Sequence, residues 1–205
     1  MQLFELRQSP VINAESSALD FRQIMNAMAF PGRTHSCESP KNNAISADVN
    51  GSAQHIANAL VSREVTVSFF DLTPSAVSLE WLRLSLRSRI VDFKDADFIF
   101  VNSSSLTNLD LDELPLGNAE SPEKSTTLLV NVSDAFTAST DRPIRFGGPG
   151  VNPNALPISV NLDSVPTSFF EQRERLKPLF PMGLDVYFCS KDDFIAMPRT
   201  TTVTW

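Results

Sequence analysis

The sequence predicts an α/β fold built around a central β-sheet. Amphipathic helical stretches and short β-branched or aromatic runs are mixed along the whole chain, not segregated into blocks. The runs VTVSFF (65–70), DFIFVN (97–102) and TTLLVNV (126–132) have the length and composition of buried strands. With 205 residues, 42% of them hydrophobic, the chain has enough apolar material for one full core, so residues 1–205 are read as one domain.

Each element follows from local pattern. The segment SALDFRQIMNAMAFPG (17–32) is a helix whose apolar face is expected to carry Phe21, Ile24, Met25 and Met28. Ser17 and Asp20 resemble a capping box, and Pro31-Gly32 stops the helix. SAQHIANALVS (52–62) gives a second helix through Ala53, Ile56, Ala57 and Leu60, followed by the strand 65–70. Residues 76–88 are expected to be helical, with Val77, Trp81 and Leu84 on one side, and 97–102 is the next strand. Residues 103–125, rich in Ser, Asn, Asp, Glu and Pro, read as a long loop holding one short helix at 106–113. Strand character resumes at 126–132, and PIRF (143–146) is a short strand leading directly into GGPG. The stretch 151–165, with Pro153 and Pro157, reads as irregular. Pro166 opens a helix over 166–177, where Arg173 and Arg175 sit late enough to favour the helix dipole. LDVYFCS and DFIAMP are two strands joined at Lys191-Asp192-Asp193, and the terminal TTVTW is expected to extend their sheet. Phe69, Phe70, Phe169 and Phe170 are expected in the core.

Composition narrows the partners. A formal net charge of −7 argues against a nucleic-acid binder that neutralises phosphates with a basic face. No apolar run approaches the ~18 residues of a membrane span. The opening MQLFELRQSP lacks the features of a signal peptide, so a cytoplasmic location is expected. In that compartment Cys37 and Cys189 are expected to be reduced thiols.

Three of the chain's seven glycines fall in RFGGPGVN (145–152), which looks at first like a phosphate loop. A Walker loop needs a Lys after its last glycine, but Val151 and Asn152 follow Gly150. A dinucleotide fingerprint needs a third glycine where Pro153 stands. A tight turn with positive φ is the better local reading. His35-x-Cys37 is the one close His/Cys spacing, too few ligands for a structural zinc site, so no metal is expected. No GxSxG elbow supports a Ser-His-acid triad. A pyridoxal phosphate enzyme needs a buried Lys, yet Lys41, Lys94, Lys124, Lys177 and Lys191 all stand in polar contexts, so no cofactor is expected. Arg199 followed by Thr200, Thr201 and Thr202 could hold a phosphate or phosphonate oxygen, or make an ion pair after a strand.

Four segments carry a family resemblance: FRQIMNAMAFPG (21–32), RFGGPGV (145–151), FPMGLDVYF (180–188) and IAMPRTT (195–201). In order and position they resemble the motifs of the PhnH family, a subunit of the bacterial carbon–phosphorus lyase core complex. The segment 103–125 and Gly147 depart from the family pattern. The resemblance implies a three-layer mixed β-sheet flanked by helices, like the pyridoxal-phosphate-dependent transferases but without the cofactor. It implies a homodimer that joins PhnG, PhnI and PhnJ homologues in degrading alkylphosphonates. In the first step, which requires the family, phosphonate displaces adenine from ATP to give ribose 1-phosphonate 5-triphosphate. The resemblance supplies no catalytic residue; the iron–sulfur chemistry belongs to PhnJ, in keeping with a chain of two cysteines. A mainly structural or assembly role is therefore expected, with Arg145, Gly148, Gly150, Arg199, Thr200 and Thr201 as anion or partner contacts. The alternative is a free-standing enzyme or binder of a phosphorylated small molecule, with the same residues around its anion.

Overall fold

A computed structural model describes residues 14–37, 48–133, 136, 144–151 and 159–205. Lys41, Pro153 and Pro157 lie outside the described residues. The architecture is α/β, with a seven-stranded, mainly parallel sheet as its frame. The helices are α1 (Ala14–Ala29), α2 (Gly51–Leu60), α3 (Ala76–Trp81) and α4 (Thr167–Leu176). The strands are β1 (His35–Ser36), β2 (Thr66–Phe70), β3 (Arg89–Ile90), β4 (Phe98–Asn102), β5 (Thr127–Asn131), β6 (Ile144–Gly147), β7 (Ser159–Val160), β8 (Asp185–Cys189), β9 (Asp193–Met197) and β10 (Thr202–Thr204). The main sheet runs β1-β9-β8-β5-β4-β2-β3. Strands β3, β2, β4, β5 and β8 are mutually parallel, and β9 is antiparallel to both β8 and β1. The chain passes outward from β2 to β3, then returns to β4 on the other side of β2, so strand order reverses between β2 and β4.

Central strands are apolar on both faces, as a parallel sheet covered on both sides requires. Phe100, Leu129 and Tyr187 pack with Ile24, Ala53, Ile56 and Trp81 beneath α1–α3. Ile99, Val101, Leu128 and Val130 face the opposite side and meet Phe169, Phe170 and Leu176 of α4. A separate three-stranded sheet, β10-β6-β7, belongs to that second layer.

Several expectations change. The terminal TTVTW does not extend the β8–β9 sheet: β10 pairs with β6, Val203 opposite Phe146. The reason is Pro198, which ends β9 and turns the chain, with the Thr201 amide bonded back to the Pro198 carbonyl. On α1 the inward stripe is Ile24 and Ala27, while Phe21 and Met25 are each 49% exposed. The helix also begins at Ala14, ahead of the expected cap. Val77 and Leu84 point outward; Trp81, Leu82 and Leu86 are buried because α3 widens into a π turn over Leu82–Leu86, shifting the face. Residues 103–125 hold three 3₁₀ turns, at Ser103–Thr107, Leu111–Glu113 and Pro122–Lys124, in place of one helix. Leu106, Leu109, Leu111 and Leu114 are all buried, so this segment covers the sheet as part of the second core. Phe169 and Phe170 are fully buried, and Phe69 and Phe70 are partly so.

Candidate functional site

Two polar regions occupy opposite ends of the parallel strands. The first lies at their amino ends and gathers all four resemblance segments. Arg199 donates from Nε to Asp185 Oδ1 (3.3 Å) and from Nη2 to Asp185 Oδ2 (2.6 Å) and Ser125 Oγ (2.6 Å). Its Nη1 donates to the carbonyls of Pro122 (2.7 Å) and Pro181 (3.2 Å). A guanidinium has five N–H donors, and these five bonds account for all of them. The Arg199 backbone amide also donates to Asp185 Oδ1 at 2.8 Å.

Arg173, only 3% exposed, is the second anchor. It donates to the carbonyls of Thr201 (3.1 Å), Leu184 (3.4 Å), Met197 (3.3 Å) and Pro198. Burial pulls its guanidinium down to about 10, which leaves it charged at neutral pH. Sequence reasoning gave Arg173 a helix-dipole role; its actual task is to satisfy the carbonyls where β9 gives way to β10, which no local pattern reveals. The glycines fit around these anchors. Gly148 and Gly150 have φ of +104° and +81°, as the turn reading expects. A side chain on Gly150 would strike the Ala29 carbonyl oxygen at the end of α1. Gly147 pairs with Thr202, leaving no room for a Cβ beside the Thr202 hydroxyl.

Of the six candidate contacts, Arg145, Gly148 and Gly150 are exposed. Arg199 is committed to the chain itself, Thr201 is buried with its carbonyl on Arg173, and the Thr200 carbonyl lies under Gly148. Arg145 stands opposite Thr204 on β6, whereas Arg199 turns toward Asp185 and the 122–125 turn. In that arrangement all five side-chain donors of Arg199 are taken by the chain itself.

The second region is a cleft at the carboxyl ends of β4 and β5, with a volume of about 530 Å³. Asn50, Asn102, Ser103, Ser104, Asn131 and Ser133 line it together with Val132 and Ser164. Open α/β sheets place ligands here, outside the strand carboxyl ends near the reversal of strand order. Its scaffold is an asparagine network. Asn131, 8% exposed, accepts from the Asn50 amide at 3.1 Å and donates to the Asp48 carbonyl and to Asn102 Oδ1, both at 3.1 Å. Asn50 donates its side-chain amide to the carbonyls of Val132 (3.0 Å) and Cys189 (2.7 Å), tying the start of α2 to β5 and β8.

Sequence reasoning missed this cleft. Its signal was limited to Asn102 and Asn131, which end the apolar strands β4 and β5 with an amide.

The histidines and cysteines do not form a reactive set. Burial pushes both His35 and His55 below their ordinary value, and stacking on Phe194 holds His35 at 5.6 Å between ring centres. Burial raises the Cys37 thiol to about 11 and the Cys189 thiol further, so both stay protonated and free. Among the described residues no group of three or more His, Cys, Asp or Glu is arranged to hold a metal ion, and no helix is long and apolar enough to cross a membrane.

Comparison with known proteins agrees with the motifs. Over 196 residues the chain is 25% identical to the alpha-D-ribose 1-methylphosphonate 5-triphosphate synthase subunit PhnH of Rhizobium meliloti, covering 94% of this chain and 90% of that protein. It is 25% identical over 184 residues to the putative C-P lyase subunit protein HtxG of Stutzerimonas stutzeri, covering 89% of this chain and 83% of that one. The model of the bacterial phosphonate metabolism protein family PhnH matches residues 11–204. The chain belongs to the PhnH family.

Proposed function

We propose that this chain is a subunit of the carbon–phosphorus lyase system for alkylphosphonate degradation, needed to form ribose 1-phosphonate 5-triphosphate from ATP and phosphonate, and that its own part is mainly structural. The observation that carries this reading is the fate of Arg199 in the IAMPRTT segment. Arg199 spends all five of its donors inside the chain, and the buried Arg173 of α4 ties down the carbonyls beside it, which supports a scaffolding part for this end of the strands. A match to the PhnH family over residues 11–204 supplies the pathway.

In this reading residues 1–205 act as one cytoplasmic unit that forms a homodimer and joins PhnG, PhnI and PhnJ homologues. The turn at Gly148-Pro149-Gly150, with Arg145 behind it, is exposed, and we assign it to a partner contact. A likeness to the pyridoxal-phosphate-dependent transferases, without the cofactor, belongs to the same reading. A mixed sheet between two layers supports the likeness, and none of Lys94, Lys124, Lys177 and Lys191 lines the cleft.

Affinity purification of the tagged chain from cells grown on methylphosphonate tests the role. Recovery of PhnG, PhnI and PhnJ homologues is the expected result. A chain that comes down alone, and whose deletion leaves growth on methylphosphonate intact, contradicts it.

A further inference from the structure

We infer that the cleft at the carboxyl ends of β4 and β5 is a binding site for a neutral, hydroxyl-rich ligand such as a sugar ring. The inference rests on the donors and acceptors the cleft leaves unspent. Asn131 fixes the carboxamide of Asn102 by donating to its oxygen, so Asn102 presents its NH₂ group. Ser103, Ser104 and Ser133 line the same space, and a serine hydroxyl is both donor and acceptor. A sugar hydroxyl is likewise both, so a ring with several hydroxyls answers the whole set. The volume of about 530 Å³ lies within the range of small-molecule sites.

The charge pattern selects against an anion. Among the described residues no Lys or Arg lines the cleft. The start of α2 would ordinarily attract a phosphate, but the Asn50 amide just ahead of it goes to Asn131 Oδ1 and the Ser52 amide goes to the Lys191 carbonyl at 3.2 Å. A phosphate entering here would lose hydration without a counter-charge. The three asparagines are locked before any ligand arrives, which lowers the ordering cost of binding.

Titration of the isotope-labelled full chain, observed by NMR, tests this with D-ribose and inorganic phosphate as separate probes. Saturable shifts of the Asn102 and Asn131 side-chain amides with D-ribose, at up to roughly 20 mM, are the expected result. Inorganic phosphate leaves those resonances in place. Asn102→Ala weakens ribose binding roughly three- to tenfold, the effect of one neutral hydrogen bond set. Ser104→Ala, at an exposed position, weakens it less and keeps the fold as a control. Absence of saturable shifts in the wild type overturns the inference. So does a phosphate affinity above that for ribose, or equal ribose affinity in the wild type and both variants.

Discussion

The two ends of the parallel strands are both polar, yet they use their polar groups in opposite ways. At the amino ends Arg199 and Arg173 make nine side-chain bonds between them to the chain's own carbonyls, Asp185 and Ser125. At the carboxyl ends neutral amides hold one another, while Asn102 and three serines line an open cleft. A strong charge in a motif thus marks the joint of the fold, and the weaker neutral groups mark the place with capacity to spare. Buried arginine needs so many partners that little is left for a ligand. Neutral amides can be half satisfied and still stable at a solvent-facing cleft.

Variants at the two ends sharpen this contrast, and the largest effects belong to the amino end. Gly150→Ala is expected to cost on the order of 4 kcal/mol, from positive φ and a collision with the Ala29 carbonyl, read as a lower urea midpoint. Arg173→Met leaves the carbonyls of Thr201, Leu184, Met197 and Pro198 without their donor and is expected to cost about 3 kcal/mol. At the other end Asn131→Ala unpairs the Asn50 amide and the Asp48 carbonyl and is expected to cost about 2 kcal/mol.

A pH series adds a smaller effect. Burial holds His35 and His55 below 6.5 in the native state, so the unfolded chain binds protons that the native chain refuses. Stability therefore falls as pH drops below about 6.5, and levels off once pH passes below the native values. Thermal unfolding at intervals through that window should give a slope that His55→Gln reduces. An unchanged slope in that variant would mean the Asp20 carboxylate, 3.9 Å from His55 Nε2, offsets the burial.

The fold was largely legible because each buried strand of the sheet is a short apolar run with its own signature. DFIFVN and TTLLVNV became β4 and β5 nearly as drawn, since their composition fits burial on both faces. Helix faces were read less well. On α1 the bulky Met25 outweighs Ala27 in a hydrophobic pattern, yet the small alanine is the residue that lets the helix approach the sheet. The destination of TTVTW was hidden because a strand's partner depends on the turn before it, and that turn is set by Arg173 from a distant helix. The cleft was hidden for a related reason. Asn50, Asn102 and Asn131 are far apart in sequence, and only the parallel register brings β4 and β5 to end side by side.

The division between the two ends is tested most directly by urea unfolding of Arg173→Met and Asn102→Ala beside the wild type. The account predicts a loss of about 3 kcal/mol for the arginine variant and less than about 1 kcal/mol for the asparagine variant. Equal losses, or a larger loss for Asn102→Ala, would contradict it.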